Sequence, residues 1–108
     1  MNTAQKQHDW NDRVTSFNSE NVGRKTRLGV FESSNGGFSD YWLENGLPLR
    51  GVTFEQHNGR TSAEILLDGF THMIENADRI ELVYGSDDTT DGLNVVDFNG
   101  RTSVLRFE

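Results

Sequence analysis

Cysteine is absent from the 108 residues, which removes a disulfide framework, a thiol nucleophile and any thiolate metal site. One proline, Pro48, is present in the whole chain. No apolar run approaches the roughly 20 residues that a membrane-spanning helix needs. The opening MNTAQKQHDW has no apolar stretch after its positive residue, so neither a signal peptide nor a membrane partner is expected, and a cytoplasmic location is. Apolar residues make up only 33%, yet they recur in ordered patterns, which argues for a folded chain. This length suits one domain, which buries roughly two-thirds of the surface its unfolded chain exposes.

Positive charge is scarce in the second half. Residues 1–60 hold seven Lys/Arg and seven Asp/Glu, whereas residues 61–108 hold three Arg against ten acids, which accounts for the whole net charge of −7. A chain of this balance repels polyanions, so nucleic acid is not an expected partner. The basic cluster Gly23–Arg27, with Arg24, Lys25 and Arg27, either binds a phosphate or offsets the carbonyls at a helix end. The helix end is the preferred reading.

What is present divides into one helical pattern and many alternating ones. The first eight residues read as a disordered polar tail. Asp9 then offers a helix cap, and Trp10, Val14 and Phe17 share one face of a helix at about 9–22 that Gly23 terminates. This short, Asn- and Ser-bearing helix is marginal alone and requires a sheet to pack on. From about 26 to 107 the period is two. Leu28/Val30, Val52/Phe54, Ala63/Ile65/Leu67, Phe70/His72/Ile74 and Ile80/Leu82/Tyr84 form inward sets, followed by Val96/Phe98 and Leu105/Phe107. Asn58-Gly59, Asp68-Gly69, Asp91-Gly92 and Asn99-Gly100 supply hairpin turns, and Pro48 stands at a strand entrance. NGRTS occurs twice, at 58–62 and 99–103, read as two hairpins that share turn chemistry. The expected fold is therefore mainly β. It is a small antiparallel barrel or two-sheet sandwich of short hairpin-connected strands, with one N-terminal α-helix packed on it, filling residues 9–108 as a single domain.

Three places carry candidate chemistry. His72 lies between apolar Phe70 and Ile74 on an inward face, where a half-buried imidazole satisfied by backbone or carboxylate competes with a functional one. Asp87, Asp88 and Asp91 give SDDTTDG the composition of a divalent-cation site, but not the ligand alternation or closing Glu of a calcium loop. Phe38, Tyr41 and Trp42 follow a glycine-rich stretch. They form a ligand or partner surface, or else close the barrel end against Trp10; packing is preferred, although this stretch is the best functional candidate. No nucleophile elbow, P-loop or dinucleotide fingerprint is present, and no cofactor is implied.

Trp10 and Phe17, LPLRGV at 47–52, FTHMIEN at 70–76 and the ending NGRTSVLRF together resemble a family of small bacterial and archaeal domains of unknown function. The family pattern often places proline after the histidine-containing strand, where this chain has Asn76. The resemblance implies an independent domain with His72 as a recurring feature, and it assigns no activity. The expected function is a non-catalytic binding or protein-interaction module, with a protein partner or self-association. The alternative is a small-ligand- or divalent-cation-binding domain, or an enzyme, using His72 or the Asp87/Asp88/Asp91 loop.

Overall fold

Helix α1 runs from Thr3 to Asn21. The computed structural model describes the backbone of residues 3–34, 37–86 and 89–108, and the side chains of residues 10, 12–32, 42–86 and 89–108. The helix begins earlier than Asp9 because Ala, Gln and Lys are good helix formers. It absorbs most of the expected tail, and Asp9 sits inside it rather than capping it. Gly23 ends it as expected, with φ +91°.

Seven strands follow: β1 Lys25–Ser34, β2 Gly37–His57, β3 Arg60–Leu67, β4 Phe70–Ile74, β5 Ala77–Tyr84, β6 Thr90–Asp97 and β7 Thr102–Phe107. All ladders are antiparallel, in the order β4-β3-β2-β1-β7-β6-β5. The edge strands β4 and β5 are consecutive in the chain and separated only by Glu75 and Asn76. Two residues span at most about 7 Å beyond their anchors, so the two edges must approach each other at that end. The sheet therefore curls into a half-barrel, and Asn76 takes φ +56° to make the corner.

Strand β2 serves two partners in succession. Its residues up to Pro48 pair with β1, and those from Leu49 pair with β3. Pro48 stands at this handover, inside a long strand rather than at an entrance. Because β1 starts only at Lys25, the far side of the second half of β2 has no strand beside it among the described residues. The end of α1 fills the gap. Asn18 Nδ2 donates to the Val52 carbonyl at 2.9 Å, and Asn18 Oδ1 accepts from the Val52 amide at 2.8 Å. One turn later, the Gly23 amide donates to Leu49 O and the Leu49 amide donates to Arg24 O, both at 2.8 Å. A side-chain amide thus imitates one rung of a ladder.

The helix also lids the concave face. Trp10, Val14 and Phe17 are buried, with Trp10 5.1 Å from Phe54 and Phe17 5.7 Å from Phe107, centroid to centroid. Beneath them lie Leu28, Val52, Ala63, Ile65 and Leu105, each wholly buried. Two inward sets differ from expectation. In β6 the core residues are Leu93 and Val95, while Phe98 is 71% exposed in the turn that follows. Tyr84 is exposed beyond a register shift after Val83.

The turns separate residues that look alike in sequence. Asn58 and Gly59 both have positive φ and make a two-residue hairpin, as expected. In the second NGRTS copy only Gly100 does, and the buried Asp97 organises a wider turn by accepting from the amides of Asn99 and Arg101 at 2.9 and 3.0 Å. Asp91-Gly92 is not a turn but lies within β6. Gly92 is required there by close approach, since a Cβ would run into the Leu105 carbonyl.

Two substitutions test this architecture. Asn18→Ala leaves the Val52 amide and carbonyl without partners, at a cost of about 2–4 kcal/mol from the usual penalty for such groups, read as a lower urea midpoint with unchanged slope. Gly92→Ala forces β6 away from β7 and should lower the melting temperature by more than Gly59→Ala, despite the positive φ at Gly59. The reverse order would contradict the close approach.

Candidate functional site

Curling brings His72 on β4 across the concave face to β7, far from it in the strand order. His72 Nε2 shares a hydrogen bond of 3.0 Å with Ser103 Oγ, its direction set by the imidazole tautomer. A cleft of about 290 Å³ opens beside them, lined also by Asn76, Asp97 and Arg101. His72 is half-buried, and burial, reinforced by the Arg101 charge, lowers its pKa below 6.5. Serine, histidine and aspartate thus share one cleft but do not form a relay. The Asp97 carboxylate accepts from its own loop amides, and Ser103, although it lines the cleft, is 1% exposed. The partner of His72 is a hydroxyl, not the backbone or carboxylate expected.

Of the acidic trio, Asp87 and Asp88 lie outside the described residues. Asp91 is in β6, on the convex face beside Arg27 and Arg106. Among the described residues no three acidic or histidine side chains gather as metal ligands. A cleft of about 570 Å³ between α1 and the β5–β6 hairpin contains Arg13, Arg24 and Tyr84. Arg24 is committed to the frame there. It donates to Asn21 Oδ1 at 2.8 Å and Thr90 O at 2.9 Å, and lies 4.1 Å from the Phe107 ring centroid. It ties the helix end to β6 through a side chain and a strand carbonyl, rather than offsetting the carbonyls of the last turn as expected.

Arg27, from the same basic cluster, has another place. On the convex face, Trp42 is 45% exposed and is not packed against Trp10, contrary to the preferred expectation. The register explains it. Trp42 lies opposite Gly29, which has no side chain, so the indole can lean over β1 between Arg27 and Phe31. Phe31 meets it edge-on at 5.8 Å and 88°, and the Arg27 guanidinium carbon is 4.5 Å from its centroid. Val104 and Arg106 of β7 continue the surface into a shallow groove of about 430 Å³. Burial pulls the Arg106 guanidinium below its ordinary value; Asp91 opposes that shift and Arg27 adds to it. Phe38 and Tyr41 belong to β2, but their side chains lie outside the described residues.

The structure thus separates the candidates. His72 and Trp42 lie on opposite faces, and Asp91 joins Trp42. Sequence reading missed Phe31, Arg106 and Ser103 as members of these sites. Alternation in β1 does place Arg27 and Phe31 on one face, but nothing in sequence says which later strands lie beside it. The chain matches no known protein family, no curated protein and no solved structure.

The concave cleft has a pH signature. His72 has a folded pKa below its unfolded value of 6.5, so the unfolded chain binds the extra proton first as pH falls. The His72 contribution is therefore fully present above about 6.5 and is lost as pH falls from there through the lowered folded value. Melting temperatures at pH 7.5 and 5.5 should differ less for His72→Gln than for the wild type. An equal difference would show that His72 does not titrate differently on folding.

Proposed function

We propose that this chain is a non-catalytic protein-interaction module that meets its partner through the convex sheet face centred on Trp42. The observation that carries this reading is an exposed indole held in place by Phe31 and Arg27. A half-exposed tryptophan on a rigid sheet loses little conformational freedom on binding and presents a large apolar area with a polar rim. Tryptophan and arginine are also the residue types that most often dominate interface energetics. Shallowness favours a protein surface, because small-molecule sites enclose most of their ligand. In the His72 cleft Ser103 is almost wholly buried and Asp97 is held by its own loop amides, which favours binding over catalysis.

Site-specific photocrosslinking from position 42, followed by purification of the identified partner, tests the reading. The purified partner should bind the wild type and lose about 2 kcal/mol, near 30-fold in affinity, against Trp42→Ala. The variant should keep its melting temperature within a few degrees, since Trp42 is not in the core. A partner that binds Trp42→Ala undiminished, or that crosslinks equally from the exposed Thr71 on β4, would sink it.

A further inference from the structure

Arg27 and Arg106 are direct cross-strand neighbours in the β1–β7 ladder and line the same groove. Like charges in that relation destabilise a sheet, and here they occur in a chain of net charge −7 with acids to spare. Neither is neutralised by an ion pair of its own among the described residues. The Arg27 guanidinium lies over Trp42 and makes no side-chain hydrogen bond to any described residue, which leaves its edge open to an incoming acceptor. Arg106 donates from Nη1 to Asn94 Oδ1 and Leu105 O, both at 2.9 Å, which fixes its direction. Asp91 lies in the same groove and offsets one of the two charges.

Stacking on the indole pre-orients the planar fork of Arg27, and such a fork matches a carboxylate with two parallel hydrogen bonds. Beside the two cations, Trp42, Phe31 and Val104 offer apolar area. The groove therefore combines an acceptor requirement with a hydrophobic one at side-chain distance. We propose that it docks an acidic segment of a partner protein, with a carboxylate between Arg27 and Arg106 and a neighbouring apolar side chain on Trp42. This rests on the interaction-module reading and adds the chemistry of the partner. A long polyanion fits less well, because a chain of net charge −7 repels charge that extends past the groove.

The test titrates the whole chain with capped Glu-Glu-Leu-Glu-Glu, its Gln and Lys counterparts, and an oligothymidylate, using calorimetry at low and high salt. The Glu peptide should bind, weaken as salt rises, and bind about tenfold more weakly to Arg27→Gln. Arg27 is exposed, so that variant should fold. Equal binding of the Gln peptide, or better binding of the Lys peptide, overturns the acidic partner while leaving the interaction face standing. Tighter binding of the oligothymidylate replaces the protein partner with a nucleic acid. Concentration-dependent self-association abolished by Arg27→Gln, seen by light scattering, places a second copy on the groove and likewise overturns the proposal. No binding by any probe at millimolar concentration removes the groove itself as a recognition surface.

Discussion

A strand that changes partner halfway leaves bare backbone, and the rest of this fold depends on how β2 solves that problem. Its second half pairs with β3 on one side and, among the described residues, has no strand on the other. Asn18 answers with both ends of its amide, giving Val52 a donor and an acceptor at 2.9 and 2.8 Å. A buried peptide group without partners would cost more than the helix's own marginal stability supplies. The same contact fixes the position of α1 along β2 and sets its Trp10, Val14 and Phe17 face over the concave core. Arg24 secures the other flank through Thr90 and Phe107. Helix and sheet each supply what the other lacks.

The curl of the sheet assigns the two faces different work. The concave face is largely apolar among the described residues, and where His72 and Ser103 meet across it their hydrogen bond keeps both polar groups satisfied in a half-dry setting. The convex face carries what the core could not accept: the Trp42 indole and two guanidiniums set side by side. Gly29 permits the first by leaving space under the indole. Gly92, opposite Arg106, belongs to the same neighbourhood through its close contact with β7. Two glycines in neighbouring ladders thus shape the face that Trp42 occupies.

Much of the fold was legible in sequence because its determinants are local. Alternation identified the buried sets in β1, β3 and β4, and positive-φ chemistry located the turns at Asn58-Gly59 and Asp68-Gly69. The misreadings have different causes. Asp91-Gly92 resembles a turn, but close approach of a neighbouring strand requires glycine there, and that approach is not visible in local sequence. Phe98 resembles a core residue, but the Asp97 turn projects it outward. The candidate sites were legible only as isolated residues: His72 and Trp42 were identified, while Ser103, Phe31 and Arg106 were not.

The sequence by itself determined a β-rich chain with one amphipathic helix, the end of that helix at Gly23, and an acidic second half, because period, turn chemistry and charge are properties of short windows. Tertiary structure alone decided which face each aromatic would occupy and which residues would meet. It set Trp42 opposite Gly29 and Arg27 opposite Arg106, and His72 against Ser103 across 31 positions. Those pairings follow from strand order and register, and both are fixed by how the whole sheet closes over its helix.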